Sequence, residues 1–595
     1  MCGFFCAIAK DHPFKEESFL NSFRNSDLLI QRGPDEQGFY RHPHHFCFHS
    51  RLQTLSLLDE DNLDKQPLVR GEDYLLFNGD IYNYRDFSST VKNGDTSALF
   101  TLLQKKSIAA LNDLNGNFAL CYKEGERLFL ARDRMGIRPL FYTLLEGLEK
   151  PMVAASTNLF ILAELRKKHH HELTLNNDFF SQYHTLRYGA SVRECVFHEI
   201  HAVAPGHFIE INLNDLLIEK RVNLKEVTYW DINSISRATG EVSGEACEDE
   251  LASLLKDAIE IRTQTHGQEF STFLSGGIDS GLISALASKK SGFKESLYMS
   301  LPGSSNEDER LNRFQKSYDL PLRKITYNPH KDLKVFDALE QPYGDTIIFL
   351  VDQLCKEAAK SSRVVLSGDG ADEVFGGYVH HRVFFMAQLF NKALPGLGRS
   401  AVLKLMGSLP TSFWNTFFPY NQALDQKGIQ KFIKFLHSFQ NPLKAYLSLV
   451  SLGSEKEEEA VYTKLERQWP RSTPFSMHEL LRFDLKFWSP QYALYKMDRI
   501  GFSRGLDIRV PFFDHRLVEW SLRHHEGKPC QSLRGAKVQL RRAVAKYGLL
   551  KDELWKEKKF PFRLSEVEGG LYEGKRKVVR DHEQQWHRVY KERIN

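Results

Sequence analysis

The stretch "FLSGGIDSGLIS", residues Phe273–Ser284, decides the fold of the second half of the chain. An apolar run ends at Leu274, a loop with two glycines follows, and a helical pattern begins after the loop. Glycines let the backbone approach a ligand closely, and a helix N-terminus offers unpaired N–H groups and the positive end of a dipole. The stretch therefore predicts an anion site, although it lacks the GxxxxGK(S/T) pattern of the Walker loop.

A second loop, "LSGDGADEVFGGY" at Leu366–Tyr378, repeats the order of strand, glycine-rich turn and helix. Asp369, Asp372 and Glu373 lie close together in it, and carboxylates this close need a cation or a proton to coexist. Because Asp279 of the first loop would repel a phosphate, we expect Mg²⁺ between the two loops. Alternating strand–loop–helix units indicate a parallel sheet with helical crossovers.

The N-terminal region has a different pattern, in which short apolar runs alternate with turn residues up to about residue 205 and indicate strands. Cys2 directly follows the initiator methionine. If the methionine is removed, Cys2 carries both a thiol and a free α-amine, which can act as nucleophile and base. The alternative is a cysteine that only packs in a first strand. Residues 206–243 indicate a hairpin followed by a linker.

Composition limits the classes of protein to consider. A chain of 595 residues with 42% apolar and 26% charged residues is typical of a globular protein with two or more domains. A net charge of +4 does not call for a nucleic-acid partner, and no apolar run or leader indicates a membrane span or secretion. The eight cysteines contain no CxxC pair, which favours the reducing cytoplasm and argues against a disulfide framework or zinc site.

Taken in order, the motifs resemble those of the glutamine-dependent asparagine synthetase family over nearly the whole chain. The N-terminal motifs are "MCGF", "RGPDEQG", "FNGDIYNY", "GDTSALF", "LNGNFAL" and "RDRMGIRPLFY"; the C-terminal ones are "FLSGGIDS", "LSGDGADEVFGGY" and "MDRIGFSRGLDIRVPFFDHRLVEW". The resemblance implies an α/β multidomain fold. It comprises an αββα N-terminal-nucleophile glutaminase sandwich at 2–205, a hairpin and linker at 206–243, a doubly wound parallel-sheet ATP-pyrophosphatase (PP-loop) synthetase domain with helical additions at 244–565, and a charged tail at 566–595. We expect that tail to be a solvated helix or frayed.

In the glutaminase domain, the resemblance makes Cys2 the nucleophile. Asn78 and the backbone N–H of Gly79 would form the oxyanion element. An arginine would hold the substrate α-carboxylate and an aspartate its α-ammonium group. The glutamine-binding residues implied in this way are Arg51, Leu52, Asn78, Asp80 and Asp95. The family often has Glu at the position of Asp80, so the hydrogen bond of this shorter side chain stays open.

In the synthetase domain, the resemblance implies ATP contacts by Leu274, Ser275, Gly276, Gly277, Asp279, Ser280, Met299, Ser367 and Gly368. Asp279 and Asp372 would hold Mg²⁺, and Asp369 would assist the attack of ammonia. Lys558 would neutralise the departing pyrophosphate, with Lys559 as the alternative. ATP and Mg²⁺ are thus the implied cofactors. The implied partners are small-molecule substrates, with neither nucleic acid nor a membrane, and a homodimer is the assembly that the family suggests.

The implied reaction joins the two domains. Glutamine is hydrolysed at Cys2, and ammonia passes through an internal channel to an acyl-adenylate made from ATP and L-aspartate. The products are asparagine, glutamate, AMP and pyrophosphate. The acceptor is open, because "TIIF" at Thr346–Phe349 is apolar and a buried carboxylate without a partner is costly. Either this segment is a packed helix start, or the acceptor is another carboxylate, such as a sugar uronate or a peptide side chain.

Two further alternatives lie outside this reaction. One is a glutaminase that supplies ammonia to another protein, and the other is a non-catalytic interaction protein on an enzyme fold. The intact loops argue against the first, and the intact glutaminase residues argue against the second. Charged residues near the C-terminal motif are expected to form structural ion pairs behind the nucleotide pocket; they are Arg504, Asp507, Arg509 and Asp514.

Overall fold

The structure is a computed structural model. It describes residues 2–10, 27–54, 64–87, 94–146, 151–219, 222–236, 245–265, 267–301, 305–329, 332–393, 398–410, 412, 426–439, 441–469, 475–524, 531–532, 535–551 and 571–594.

Two antiparallel sheets make up the N-terminal part of the protein. Their strands are β1 (Cys2–Ala9), β2 (Glu36–His42), β3 (His45–Arg51), β4 (Leu68–Arg70), β5 (Asp73–Ile81), β6 (Gly116–Glu124), β7 (Arg127–Arg132), β8 (Phe141–Leu145), β9 (Met152–Ser156), β10 (Ile200–Ala202), β11 (His207–Asn212) and β12 (Leu224–Thr228). One sheet has the order β10-β8-β9-β1-β3-β2, and the other has the order β12-β11-β7-β6-β5-β4. The hairpin expected within 206–243 is formed by β11 and β12, and β11 joins the second sheet beside β7.

Helices connect these strands and cover both parts. They are α1 (Asp27–Ile30), α2 (Asp95–Lys106), α3 (Leu159–Lys168), α4 (Asn177–Leu186), α5 (Leu213–Leu217), α6 (Glu245–Arg262), α7 (Ile278–Ala287), α8 (Ser305–Tyr318), α9 (Val335–Leu339), α10 (Ile347–Ala358), α11 (Ala371–Phe375), α12 (Val379–Ala393), α13 (Gly398–Gly407), α14 (Gln426–His437), α15 (Pro442–Val450), α16 (Glu455–Gln468), α17 (Met477–Phe483), α18 (Leu494–Ser503), α19 (His515–His524), α20 (Val538–Lys546) and α21 (Leu571–Ile594). Short 3₁₀ segments lie at Tyr84–Asp86, Ser107–Asp113, Ile232–Ser234 and Pro511–Phe513, and a π-helical segment spans Asp484–Ala493.

The N-terminal sheets are buried on both faces, and the alternation of side chains along β1 shows it. Phe4 and Ile8 pack between the two sheets, whereas Phe5 and Ala7 pack on the opposite face in the core that includes α3. Successive side chains of a strand point to opposite faces, so a strand that is apolar throughout needs cover on both sides. The result is a layered arrangement of helix, sheet, sheet and helix, which confirms the predicted sandwich.

A parallel sheet organises the C-terminal part. Its strands are β13 (Phe270–Phe273), β14 (Phe293–Ser300), β15 (Leu322–Thr326), β16 (Val364–Leu366) and β17 (Asp507–Arg509), with β18 (Gln531–Ser532) and β19 (Gly535–Ala536) as a separate hairpin. In the order β15-β14-β13-β16-β17, the strands β13, β14 and β15 follow one another toward one edge of the sheet, and β16 and β17 follow one another toward the other edge. This confirms the doubly wound fold. Ligands bind such sheets at the carboxyl ends of the strands where the order reverses, which here lies between β13 and β16.

The C-terminal helix α21 differs from the solvated or frayed tail expected from its charge. Trp586 and Tyr590 are fully buried, and Val579 and Val589 are nearly so, all in the largest core of the protein. These apolar residues recur at helical spacing and share one face of α21, which the many charged residues between them obscure in the sequence.

Among the described residues, no helix combines the length and apolar character that crossing a membrane requires. The seven described cysteines are buried, and no disulfide joins any two of them.

Candidate active sites

The predicted nucleophile Cys2 begins β1 and is paired with Arg51 at the end of β3. Its side chain is nearly buried, and its backbone N–H donates a hydrogen bond of 2.9 Å to Oδ1 of Asn78. Strand pairing brings Arg51 beside Cys2, and a hydrogen bond between the two sheets adds Asn78, so three predicted glutaminase residues from separate motifs lie together.

The predicted oxyanion element is formed by Asn78 and Gly79 near the end of β5. Asn78 is fully buried, and its Nδ2 has no hydrogen-bond partner among the described residues. A buried donor without a partner is costly, so this N–H group is available to a ligand oxygen. Gly79 follows with a φ of 154°, a conformation that favours glycine. The pair has the chemistry that an oxyanion requires.

Arg51 already holds a carboxylate. Its guanidinium is buried, and Nη1 lies 3.2 Å from Oε2 of Glu36. The next residue, Leu52, is also buried and packs against Phe502 of the C-terminal part. The α-carboxylate of glutamine would present to Arg51 the same group that Glu36 presents now.

Asp95 is the first residue of α2, and its Oδ2 accepts a hydrogen bond of 3.0 Å from the Ile81 N–H. Burial, followed by the charges of Asp80 and Asp64, raises the pKa of Asp95 to about 8. A carboxyl group in this position gains from a bound cation, because a positive partner favours its ionised form. The α-ammonium group of glutamine is such a partner.

Asp80, in contrast, is turned toward the C-terminal part. Its Oδ1 lies 3.3 Å from Nη2 of Arg509 and accepts a hydrogen bond of 3.2 Å from Thr54, while Oδ2 lies 3.7 Å from Nη2 of Arg138. Burial acts to raise the pKa of Asp80, but Arg509 and Arg138 hold it below its ordinary value. The carboxylate predicted to bind glutamine is therefore already engaged between two arginines.

Asp80 belongs to a buried group that we call the interdomain ion cluster: Arg32, Asp80 and Arg138 of the N-terminal part with Asp498, Asp507 and Arg509 of the C-terminal part. The pairs, with their shortest N···O distances, are Arg32–Asp498 at 3.1 Å, Arg138–Asp498 at 3.1 Å, Arg138–Asp507 at 3.0 Å and Arg509–Asp507 at 2.8 Å, besides the two pairs of Asp80. Removing one partner from such a cluster would leave an uncompensated buried charge. The cluster therefore fixes how the two parts meet.

The four residues predicted to form structural ion pairs all do so. Asp507 and Arg509 pair within the cluster, Arg504 lies 2.7 Å from Asp352, and Asp514 lies 2.8 Å from Arg262. Arg509 also reaches the synthetase loops, because its carbonyl oxygen accepts a hydrogen bond of 2.9 Å from the Ser367 N–H. Arg509 thus makes two contacts. One is with the end of β5, just after the oxyanion element, and the other is with the start of the second loop.

The first loop, Ser275–Ser280, follows β13 at the predicted edge of the sheet and includes the first turn of α7. The hydroxyl of Ser280 accepts a hydrogen bond of 3.0 Å from the Ser275 N–H, which closes the loop over Gly276. Gly277 is the N-cap of α7 and offers no side chain to its N–H groups. The helix N-terminus is therefore open to an anion, as the sequence predicts.

The two loops touch at the point where the strand order reverses. A Cβ atom on Gly368 would lie 2.8 Å from the backbone nitrogen of Ser280. Leu274 and Met299, the predicted adenine contacts, are buried at the ends of β13 and β14. In the second loop, Asp369 accepts a hydrogen bond from the Ser367 hydroxyl and lies 3.8 Å from Nζ of Lys496.

Lys537, which the sequence analysis missed, joins the two predicted magnesium ligands. Its Nζ lies 2.6 Å from Oδ2 of Asp279 and 2.5 Å from Oδ1 of Asp372. Burial acts to lower the pKa of Lys537, but the two carboxylates raise it above its ordinary value. The predicted lysines Lys558 and Lys559 lie outside the described residues. No motif marks Lys537, which precedes α20 in the ordinary stretch "GAKVQLRRA".

The acidic groups of the two loops fit a divalent cation. Asp279 and Asp372 converge on one ammonium group, and Oδ1 of Asp279 is buried with no partner among the described residues. Carboxylate oxygens are the ligands that Mg²⁺ prefers. Burial, followed by Asp372 and Asp369, raises the pKa of the neighbouring Glu373 to about 8, and the Tyr378 hydroxyl donates to it at 2.9 Å.

A histidine pair lies beside this site. Nε2 of His380 and Nε2 of His381 lie 3.0 Å and 2.8 Å from Oδ2 of Asp484, whose Oδ1 accepts a hydrogen bond of 2.9 Å from Tyr446. The Tyr378 N–H donates to Nδ1 of His381, so the proton of a neutral His381 is on Nε2 and faces Asp484. These contacts satisfy Asp484 with protein donors and join α12 to the π-helical segment.

The segment "TIIF" forms the start of α10. Ile348 and Phe349 are buried in the largest core, and Thr346 is the N-cap of the helix. The apolar residues therefore pack into the protein, as the packed-helix alternative expects.

Comparison with protein-family models shows to which family the chain belongs. Residues 250–593 match the family model described as "Asparagine synthase", and residues 1–222 match the model described as "Glutamine amidotransferase domain". The chain belongs to the asparagine synthase family. Family-level glutamine-dependent amidation follows from this membership, and the roles assigned to individual residues stay predictions.

Three relatives from Bacillus subtilis (strain 168) carry the name asparagine synthetase (glutamine-hydrolyzing). Number 2 is 25% identical over 548 residues, covering 87% of this chain and 66% of the relative. Number 1 is 24% identical over 551 residues, covering 86% of this chain and 79% of the relative. Number 3 is 25% identical over 582 residues, covering 91% of this chain and 83% of the relative. The match thus spans slightly less than two thirds of the first relative. Identity at this level leaves the acceptor open.

Proposed function

We propose that this protein is a glutamine-dependent asparagine synthetase, using ATP, glutamine and L-aspartate. One observation carries the proposal: Arg509 contacts both the strand that holds the predicted oxyanion element and the second of the two loops predicted to bind phosphate. Its side chain pairs with Asp80, two residues after Asn78, and its carbonyl accepts from Ser367 in the second loop. A glutaminase that only supplied another protein would not need the second site.

In the first half-reaction, the Cys2 thiolate attacks the side-chain carbonyl carbon of glutamine. The free α-amine of Cys2 takes the thiol proton and passes it to the leaving ammonia. Nδ2 of Asn78 and the Gly79 N–H stabilise the oxyanion that forms. Water then hydrolyses the thioester and releases glutamate. Arg51 and Asp95 hold the two charged groups at the other end of the substrate.

In the second half-reaction, a carboxylate oxygen of the acceptor attacks the α-phosphorus of ATP, and pyrophosphate leaves. The open N-terminus of α7 binds phosphate oxygens. Asp279 and Asp372 would hold Mg²⁺, which supplies positive charge to the phosphates when bound. Ammonia from the first site, reaching it through the protein interior, attacks the acyl carbon and AMP leaves. Asp369, which lies 3.8 Å from Nζ of Lys496, takes the proton that ammonia loses.

The packing of "TIIF" into the core supports aspartate, because these apolar residues do not have to line the acceptor site. A second acceptor class, a carboxylate on a sugar ring, is favoured by one feature. The half-buried rings of Tyr378 and Trp488 lie 4.8 Å apart at the end of the second loop. Aromatic faces of this kind stack well on ring-shaped ligands.

Isotope transfer tests the proposal. The purified protein is given ATP, Mg²⁺ and amide-¹⁵N glutamine, with L-aspartate in one reaction and D-glucuronate in another. The proposal expects ¹⁵N-asparagine with aspartate and no labelled product with glucuronate. A labelled uronamide instead would establish the second acceptor class. Glutamate without ATP consumption would identify a glutaminase that serves another protein, and no glutamine turnover by folded protein would identify a non-catalytic one.

A further inference from the structure

Apolar side chains are exposed along one side of α12. The exposed residues of this side, which we call the outer face, recur every three or four positions: Val379, Arg382, Met386, Leu389 and Ala393. Residues at this spacing share one side of a helix. The opposite side packs into the largest core of the protein through Val383, Phe384 and Ala387. The helix therefore has apolar residues on both sides, although only one side faces the core.

Exposed large apolar side chains are concentrated in this part of the molecule. Six occur among the described residues, and three of them, Val379, Met386 and Leu389, lie on the outer face. A fourth, Leu405, is 68% exposed and lies on α13, which follows α12 after a connection of residues 394–397. Single exposed apolar residues are ordinary in proteins, but a concentration of them marks an interaction surface.

The same region has a surplus of positive charge that the net charge of +4 conceals. Between Glu373 and Glu455 there are eight lysines and arginines but a single acidic residue, Asp425. Lysines of α14 and α15 pair with glutamates of α16, at N···O distances of 3.4, 2.6 and 2.5 Å: Lys431–Glu458, Lys434–Glu455 and Lys444–Glu459. In contrast, Lys392 on α12 and Lys404 on α13 are exposed and have no ion-pair partner among the described residues. The uncompensated charge thus lies on the two helices that expose the apolar residues.

We propose that the outer face of α12, together with Leu405, docks onto an anionic membrane surface. The apolar side chains enter the boundary between lipid headgroups and acyl chains, and Lys392 and Lys404 meet the lipid phosphates. A second copy of this chain fits less well, because an identical face would bring the same positive charges together. The outer face begins directly after the second loop ends at Tyr378, so docking would hold the predicted synthetase site near the membrane.

Flotation with vesicles tests the proposal. The full chain is mixed with vesicles of phosphatidylcholine and phosphatidylglycerol in equal amounts, or of phosphatidylcholine alone, and the bound fraction gives a partition constant. We expect binding to the anionic vesicles that weakens as NaCl rises from about 50 to about 500 mM, because salt screens exposed charges. The double variant Met386→Glu/Leu389→Glu should bind about 10²-fold more weakly, since each change removes an apolar side chain from the lipid and adds a repelled charge.

Two further variants separate the contributions and supply a matched control. Leu405→Glu should weaken binding about tenfold. Ile218→Glu should not, because Ile218 is equally exposed at 68% but follows α5 in the N-terminal part. Lys392→Glu/Lys404→Glu alters the charge without changing an apolar residue, and should weaken binding to the anionic vesicles by at least about tenfold.

Absence of binding to the anionic vesicles, or equal binding by the original chain and Met386→Glu/Leu389→Glu, would overturn the proposal. So would self-association, measured by light scattering, that this variant abolishes in a chain without affinity for vesicles, because the face would then be a contact between copies. Circular dichroism and the thermal unfolding midpoint check that each variant folds. Should one fail to fold, the other two variants of α12 and α13 still decide the outcome. The readout does not involve catalysis, so failure of the proposed function would leave this inference standing.

Discussion

The glutaminase site and the synthetase site hold their reactive groups in different ways. At the first site, Cys2 on β1 and Asn78 on β5 lie in the two different sheets and are linked by a hydrogen bond of 2.9 Å, so the arrangement exists before substrate binds. At the second site, Asp279 and Asp372 lie beyond the ends of strands and are held by Lys537. The difference teaches that the first site is organised by the two sheets, whereas the second is held by the ion pairs of one lysine with both loops.

The interdomain ion cluster lies between these two sites and belongs to neither. Through Arg509 it touches the strand end next to Asn78 and the start of the second loop. The sites should therefore respond separately to changes in their own groups and together to changes in the cluster.

The largest expected effect is the loss of glutamine hydrolysis while amidation with free ammonia continues. Cys2→Ala should lower glutamine hydrolysis by about 10³-fold or more, because it removes the nucleophile. Amidation with ammonium chloride should continue at close to the original rate. Cys247→Ala, a buried cysteine on α6, is the control and should retain both activities. Equal loss of both activities in Cys2→Ala would contradict the separation.

The next largest effect should lower the activities of both sites together. Arg509→Met takes from Asp80 and Asp507 one of their two buried arginine partners, leaves only Arg138 to both, and should destabilise the protein by about 3–5 kcal/mol. Both glutamine hydrolysis and pyrophosphate release should fall in proportion, and the thermal unfolding midpoint should drop. Arg504→Met removes a half-buried pair near the periphery and should cost less. If Arg509→Met changes only one activity, the cluster does not connect the sites.

A smaller loss is expected at the synthetase site alone. Asp372→Asn removes a predicted Mg²⁺ ligand and should lower pyrophosphate release about 10²-fold, since electrostatic stabilisation of the leaving group is weakened. Glutamine hydrolysis without ATP should change less than about twofold, within the scatter of surface substitutions. A matching fall in hydrolysis would show that the glutaminase site is not organised by its two sheets alone.

The smallest effect concerns pH at the glutaminase site. The raised pKa of Asp95, about 8, means that its neutral form prevails below that pH, whereas binding an ammonium group needs the carboxylate. The KM for glutamine should therefore fall by up to about tenfold as pH rises from 7 to 8, and then level off. Asp95→Asn should have a high KM without this slope. The same slope in Asp95→Asn would assign the titration to another group.

Local chemistry explains why much of this could be predicted from the sequence. The glycines of "SGGIDS" predicted the turn between β13 and α7, and the apolar runs predicted strands in the N-terminal part, whereas the sandwich was implied by the family resemblance. Asp80 could not be understood in this way, because Arg509 lies 429 positions away and only the fold brings them together. Lys537 is likewise 258 positions from Asp279 and has no motif. In α21, the charged residues conceal the buried face of Trp586 and Tyr590.

Pyrophosphate release tests the central claim most directly. The protein is given ATP, Mg²⁺ and glutamine, with and without L-aspartate, and pyrophosphate and asparagine are measured together. The account predicts pyrophosphate release that depends on aspartate, with one asparagine formed for each pyrophosphate. Persistent glutamine hydrolysis with no response to aspartate would contradict asparagine synthesis and direct the search to other carboxylates.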